Sequence, residues 1–219
     1  MTVVSVDFHC HTIYSKDSLT RPLDLVTTAR RKRIVRLVVT DHNTISGAVA
    51  AHALDPERII VGEEIMTTRG EILAAFVTEE IPPGLPPLET LERLREQGAF
   101  ISVSHPFDTW RSGHWELENL LEILPLVDAI ETFNARCMSP GANYRAHELA
   151  RTKDLRGTAG SDAHASFELG QAVLVLPQFD NPDELRNVIG QGVIRGRMSS
   201  PWVHFASRYA SIRKILGKP

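Results

Sequence analysis

Residues 3–18 read VVSVDFHCHTIYSKDS, a short β-branched run that passes directly into two histidines. The segment Val3–Val6 is typical of a buried strand. His9 and His11 stand two residues apart, and on an extended chain this spacing directs both side chains to the same face. Cys10 points to the opposite face, where we expect it to pack. The stretch therefore predicts a first strand whose carboxyl end presents two imidazoles together.

The same arrangement recurs along the chain, because later strand candidates also end in acidic residues or histidines. Five stretches have this form: TDHN at 40–43, GEEI at 62–65, SHPF at 104–107, ETFN at 131–134 and GSDAH at 160–164. Helical patterns separate most of these strands, which favours parallel βαβ units and, in a chain this short, a small α/β barrel. The carboxyl ends of barrel strands lie on one face, so we expect the polar stretches to converge there.

Composition narrows the class of protein. The 219 residues include 24 Lys and Arg against 27 Asp and Glu, which gives a net charge of −3 and no general attraction to nucleic acid or to an anionic membrane. No apolar run approaches the ~18 residues of a membrane-spanning helix, and no signal peptide is recognisable. The two cysteines form no disulfide framework. We therefore expect one domain over residues 1–219, located in the cytoplasm.

The residues at the strand ends are of the types that bind metal ions. Imidazoles and carboxylates suit Zn²⁺, Mn²⁺ or Fe²⁺, and more than four such ligands imply more than one ion. Glu64 could bridge two ions through its two oxygens. A single histidine is more often packed or solvated, and we assign His52, His114, His147 and His204 to that class. The clustered carboxylates differ, because buried carboxylates without cations to neutralise them are costly.

Together these stretches resemble the PHP (polymerase and histidinol phosphatase) family. The resemblance is carried by DFHCHTIYSKDS at 7–18, TDHNT at 40–44, GEEI at 62–65, SHPF at 104–107, IETFN at 130–134 and SDAH at 161–164. It implies a distorted (β/α)7 TIM-like barrel with its metal site at the carboxyl ends of the strands. It also implies a metal-dependent phosphoesterase that holds two or three divalent ions.

The ligands of this family can be carried over residue by residue. The resemblance implies three metal sites, formed by His9, His11, Glu64 and Asp162, by Asp17, His42 and His164, and by Glu64 with His105 in the middle. The sequence departs from the family at Leu73, which stands near the position where many relatives have a histidine ligand. Glu131 is either a further ligand of the middle site or a carboxylate bonded to the backbone.

The implied reaction is hydrolysis of a phosphoester by a metal-activated water. His105 or His164 would protonate the leaving group. Asp41 and Asp7 either orient the ligating imidazoles or hydrogen-bond to the backbone.

The phosphate needs a cation besides the metals. Arg136 follows the sixth strand and can grip phosphate with two hydrogen bonds, and Lys16 is the second candidate. We therefore predict a small phosphorylated molecule or a nucleotide as substrate. A basic run at 30–36 suggests nucleic acid, but it lies where the first helix ends, away from the predicted site. We expect no stable nucleic-acid binding there and no membrane contact.

Two alternatives to the phosphoesterase stay open. One is a metal-dependent amidohydrolase, although no lysine occurs between Lys32 and Lys153, which counts against the type with a metal-bridging lysine. The other is a metal-binding regulatory module without turnover. The last helix carries apolar residues at helical spacing, and we expect this face to pack on the barrel: Phe205, Tyr209, Ile212 and Leu216.

Overall fold

The computed structural model describes residues 2–217. Within them lie nine strands: β1 Val3–Asp7, β2 Arg36–Val39, β3 Ile59–Met66, β4 Glu71–Ala75, β5 Phe100–Val103, β6 Ala129–Asn134, β7 Arg156–Gly160, β8 Ala172–Pro177 and β9 Val193–Gly196. The same residues form seven α-helices: α1 Pro22–Arg31, α2 Ser46–His52, α3 Pro87–Glu96, α4 Leu117–Ile123, α5 Pro140–Thr152, α6 Pro182–Val188 and α7 Val203–Ile215.

The strands form one sheet in the order β7-β6-β5-β4-β3-β2-β1-β8-β9. β1, β2 and β3 are parallel neighbours, as are β5, β6 and β7, whereas β4 runs antiparallel to both of its neighbours. The carboxyl ends of β1 and β7 meet, since Phe8 N donates to Ala159 O (3.2 Å) and Asp162 N donates to His9 O (2.7 Å). These bonds close β1–β7 into a barrel, which confirms the predicted fold class. β8 and β9 extend the sheet beyond β1.

The β3–β4 hairpin is the main distortion of the barrel. Thr67 shapes its turn by accepting hydrogen bonds at Oγ1 from the amides of Arg69 and Gly70, each at 3.1 Å. Gly70 is required there because a Cβ atom would overlap the indole of Trp115. The hairpin register pairs Glu64 with Leu73, which places one carboxylate beside an apolar side chain across the ladder.

The lower interior of the barrel is apolar. Phe8, which directly follows β1, lines one small space together with Val38, Leu73 and Phe100 of three further strands, and Ser102 and Thr158 complete its lining. Outside the barrel, buried residues of α1 and α2 pack on β2 and β3. Because the lower interior is filled with apolar side chains, polar groups that enter the barrel collect at the carboxyl ends of the strands.

The C-terminal region differs from the sequence analysis in two respects. β9, which pairs with β8 antiparallel, was not predicted. The prediction that the apolar stripe of α7 packs on the barrel is wrong, because Phe205, Tyr209 and Ile212 are 64%, 58% and 51% exposed. None of the helices in residues 2–217 combines the length and apolar character needed to cross a bilayer.

Besides the buried side chains of Val203 and Ala210, polar contacts join α7 to the rest of the molecule. Lys214 donates through Nζ to the main-chain carbonyls of Ile13 and Ser15. Ser207 accepts a hydrogen bond from Arg136 Nη2 at 2.8 Å. The helix is therefore attached to the loop that follows β1, on the side of the barrel where the polar strand ends lie.

Candidate metal centre

The first predicted group of ligands is brought together at the mouth of the barrel. His9 Nε2 lies 3.3 Å from Glu64 Oε2, and His11 Nε2 lies 3.4 Å from the same oxygen. Asp162 Oδ1 is 3.3 Å from His11 Nε2. All four side chains are fully buried. Asp162 has a left-handed φ of 53°, a conformation that aspartate tolerates better than most residues.

The second predicted group adjoins the first. His164 Nε2 lies 3.2 Å from Asp17 Oδ2, and His42 Nε2 lies 3.6 Å from Asp17 Oδ1. His11, His42 and His164 each offer a ring nitrogen within 4.8 Å of the others. This geometry suits a cation bound by His42, His164 and Asp17, with His11 adjacent to them.

The middle group contains Glu71, a residue that the sequence analysis did not identify. His105 Nε2 lies 3.1 Å from Glu64 Oε1 and 3.6 Å from Glu71 Oε2. Glu71 Oε1 is 3.8 Å from His42 Nδ1. Leu73 faces the apolar interior, and Glu71 stands two residues before it on the same face of β4. A carboxylate therefore lies close to the place where the family resemblance suggested a histidine.

Hydrogen bonds to the remote ring nitrogens fix two of the imidazoles. Glu131 Oε1 lies 3.0 Å from His9 Nδ1, and its Oε2 accepts from the amide of His105 at 2.9 Å. His11 Nδ1 lies 3.0 Å from Ser15 Oγ, which in turn donates to Asp41 Oδ1 at 2.7 Å. These contacts leave Nε2 of each imidazole facing the cluster.

The sequence left two roles open for Asp7 and for Glu131, and one of these roles was a hydrogen bond to the backbone. Both residues make such a bond. Asp7 accepts from the amides of Ser161 (2.8 Å) and Gly170 (2.9 Å). Burial raises the pKa of Asp7 to about 6 despite these bonds. Both oxygens of Glu131 have hydrogen-bond partners, and one of these partners is His9 of the cluster.

The donor set fits divalent cations. Glu64 Oε2, Asp162 Oδ1 and Asp17 Oδ1 are buried and have no hydrogen-bond partner among the described residues. A buried carboxylate oxygen without a partner costs free energy. All three oxygens belong to the first and second groups of predicted ligands. Imidazole nitrogen and carboxylate oxygen are donors that Zn²⁺, Mn²⁺ and Fe²⁺ accept. The part of the chain that the structure describes therefore contains the ligands for a centre of more than one ion.

The charges within the cluster also favour bound cations. Burial raises the pKa of Glu64, but the charges of His9 and His42 outweigh burial and hold that pKa well below its ordinary value. Burial lowers the pKa of His9, yet Glu64 and Asp162 outweigh it and hold that pKa well above normal. The raised pKa values of His9 and His42 favour positive charge beside these carboxylates, and a bound cation would supply that charge instead.

A polar cavity of about 230 Å³ lies over the cluster. Asp17, His42, Glu71 and His164 contribute to its lining. Three basic side chains also line it: Lys16, Arg111 and Arg136. Lys16 and Arg136 were predicted to bind substrate, whereas Arg111 was missed because it lies in a loop without periodic pattern.

The two arginines differ in how they are held. Arg136 is 3% exposed and forms an ion pair with Glu168 at 3.4 Å. Arg111 forms an ion pair with Asp162, with Nη2 2.6 Å from Oδ2. Burial raises the pKa of Asp162, but Arg111 and His9 outweigh burial and hold it well below its usual range. Arg111 therefore touches a candidate ligand directly.

Comparison with known proteins identifies the family. Residues 7–84 match the PHP domain, and residues 140–194 match the PHP-associated segment. An uncharacterised protein of Methanocaldococcus jannaschii is 38% identical over 187 residues, which cover 83% of this chain and 75% of the relative. The chain belongs to the PHP family. His105, Arg111 and Glu131 lie between the two matched segments, and the structure brings them to the same site.

Solved structures share the PHP fold at low sequence identity. One is a two-domain protein of Bacteroides vulgatus with a PHP-like domain predicted to be a metal-dependent phosphoesterase. It has a TM-score of 0.71 and 18% identity, over 95% of this chain and 70% of that protein. Another is an amidohydrolase of Chromobacterium violaceum, solved with bound sulfate and no metal. It has a TM-score of 0.59 and 14% identity, over 92% of this chain and 96% of that protein. At these identities the likeness concerns the fold alone.

Proposed function

We propose that this PHP protein is a metal-dependent phosphoesterase that hydrolyses a phosphomonoester, or a nucleotide or oligonucleotide phosphate. The observation that carries the proposal is one juxtaposition. A buried imidazole–carboxylate cluster with unpartnered oxygens lies directly beneath a cavity lined by three basic side chains. The cluster suits divalent cations, and the basic side chains suit an anion next to them.

The ligand assignment follows the three groups of side chains. We assign His9, His11, Glu64 and Asp162 to one ion, Asp17, His42 and His164 to a second, and Glu64, Glu71 and His105 to the middle position. Two or three ions of Zn²⁺, Mn²⁺ or Fe²⁺, when bound, would lower the pKa of a water and stabilise charge on phosphoryl oxygens. Glu131 and Asp41 keep the imidazoles of His9 and His11 in the orientation that ligation needs, so we assign Asp41 to positioning.

The leaving group needs a proton donor within reach of the substrate. His164 lines the cavity, whereas His105 does not. His164 Nδ1 lies 2.9 Å from the main-chain oxygen of Asp162, which leaves Nε2 facing Asp17. We therefore favour His164 over His105 for proton transfer when His164 Nε2 does not ligate the second ion, and His105 remains with the middle ligands.

The substrate side of the site favours a phosphate over an amide. An amide substrate is neutral and gains little from basic side chains, whereas a phosphomonoester carries about two negative charges near neutral pH. Part of the basic run at 30–36 is engaged elsewhere. Arg30 pairs with Asp55 at 2.8 Å, and Lys32 donates to the carbonyls of Phe167 and Leu169. These contacts support the prediction that the run does not bind nucleic acid stably.

A substrate panel tests the proposal. Purified protein loaded with Mn²⁺, Zn²⁺ or Fe²⁺ would be assayed with an aryl phosphate, a bis-aryl phosphate, nucleotides, sugar phosphates and aryl amides. We expect phosphate release from monoesters and its loss in Asp162→Asn. Cleavage of amides alone would support the amidohydrolase, and metal binding without any turnover would support the regulatory module. Either result would overturn the proposal.

A further inference from the structure

The outward face of α7 is an apolar surface that residues 2–217 leave largely uncovered. Three aromatic and three aliphatic side chains lie on it, each between 51% and 84% exposed: Trp202, Phe205, Tyr209, Ile212, Ile215 and Leu216. The rings of Trp202 and Phe205 are neighbours, with 5.3 Å between their centroids. A large contiguous apolar patch on a soluble protein marks an interaction site. We therefore expect this face of the helix to be covered by a partner.

The spacing of these side chains is that of a seam between two helices. Five of them follow one another at intervals of three, four, three and four residues: Trp202, Phe205, Tyr209, Ile212 and Leu216. This is the spacing of the a and d positions in a coiled coil, which pack against the same positions of a second helix. Val203 and Ala210 are the buried side chains of α7, so the helix contacts the barrel with a different side. The seam is thus available to another helix.

The area of the seam fits a second copy of this chain. At the exposures given above, covering the six apolar side chains removes roughly 600 Å² of surface per chain from water. A pair of copies would then bury about 1,200 Å², the lower end of the range for specific protein–protein interfaces. A two-fold pair uses the same surface on both copies. An uncharged seam is complementary to itself in such a pair.

The charges beside the seam favour one orientation of the two helices. Residues 185–219 contain no Asp or Glu, and Arg213 and Lys214 lie in the last turn of α7. A parallel pair would bring the basic ends of both copies together, where like charges repel. An antiparallel pair places these ends apart and also opposes the two helix dipoles. The antiparallel arrangement is therefore the more stable one.

We propose that two copies of this chain form a two-fold dimer in which their α7 seams pack antiparallel. The inner side of the same helix reaches the cavity above the metal centre, because His204 and Ser207 contribute to the lining of that cavity. Lys214 holds the carbonyls of Ile13 and Ser15, in the loop that precedes Asp17. The second copy would thus stabilise a helix that forms part of the wall of the cavity.

Light scattering and analytical ultracentrifugation test the dimer with wild type, Phe205→Ser/Ile212→Ser and the control Leu88→Ser. Leu88 is 50% exposed on α3 and lines a groove to which α7 does not contribute. At about 100 µM, wild type and control should have twice the 24.4 kDa mass of one chain. The double variant should dimerise at least ~100-fold more weakly, because each copy loses two apolar side chains from the seam. Its circular dichroism should be unchanged.

A spin label on Leu216→Cys measures the orientation, since Cys10 and Cys137 are buried. The two labels should lie about 20 Å apart or more in the antiparallel pair and about 10 Å apart in a parallel pair. The shorter distance would overturn the antiparallel arrangement. A wild type that stays monomeric overturns the dimer, even if α7 then binds anionic vesicles or another protein, and so does a double variant that dimerises like wild type. These measurements do not involve phosphate release, so they leave the test of the proposed function independent.

Discussion

Glu63 and Glu64 are adjacent buried residues on β3 that point to opposite faces, and only Glu64 reaches the metal centre. Glu63 Oε2 accepts from the amide of Ile81 at 3.0 Å, while Oε1 has no partner among the described residues. Burial raises the pKa of Glu63 from 4.5 to about 8, with a smaller contribution from Glu80. The folded protein therefore retains this proton at pH values where the unfolded chain has lost it.

The ionisation of Glu63 makes the stability of the folded protein depend on pH. Between the unfolded value of 4.5 and the folded value of about 8, the folded state binds more protons, so this group lowers stability as the pH rises. From pH 6 to pH 8 the loss amounts to about 2 kcal/mol, at ~1.4 kcal/mol per pH unit within that window. Glu63→Gln keeps an acceptor for Ile81 and does not titrate. The variant should therefore gain about 2 kcal/mol relative to wild type between the two pH values.

Urea unfolding of wild type and Glu63→Gln at pH 6 and pH 8 measures this difference, and contributions of other groups cancel. Metal content should be equal in the two proteins. Glu64→Gln provides the contrast, because its loss of a bridging ligand should reduce bound metal. An identical stability difference at both pH values would show that the Glu63 carboxyl is ionised in the folded protein at pH 6, and the reasoning would fail.

Three further predictions concern the metal centre. Glu71→Gln should lower the metal content by up to one ion per chain, and an unchanged ratio in elemental analysis would exclude Glu71 as a ligand. Gly160→Ala would place a Cβ against that of His9, so metal affinity should fall at least tenfold by calorimetry, with circular dichroism retained. Normal affinity in that variant would contradict the observed packing. Lys214→Met frees the loop that carries Asp17, and we expect roughly tenfold weaker metal binding; equal affinity would show that α7 does not hold this loop.

Most of the candidate site was accessible from the sequence because strand periodicity and strand ends determine it. His9 and His11 share a face through their spacing of two, and Asp162 and His164 repeat that spacing. The sequence does not show which strands are neighbours across the barrel, so it could not place Glu71 beside His42 and His105. That placement depends on the antiparallel register of β4.

Arg111 and α7 show where sequence patterns give no information or mislead. Arg111 lies in a loop, where no periodicity predicts a direction, and its place depends on the close approach of Gly113 to Glu71. The apolar spacing of α7 correctly predicted a helix, but its largest apolar side chains face outward. The helix is joined to the barrel mouth by polar contacts, such as those of Lys214. The spacing of apolar residues gives no information about such contacts.

The most direct test of the metal centre is elemental analysis of wild type and of the double variant His9→Ala/His11→Ala after dialysis, alongside phosphate release. We predict two or three divalent ions per chain in wild type. The double variant should lose at least one ion and all turnover, with its circular dichroism spectrum unchanged. Full metal content or undiminished phosphate release in the double variant would contradict the assignment of this cluster as the catalytic centre.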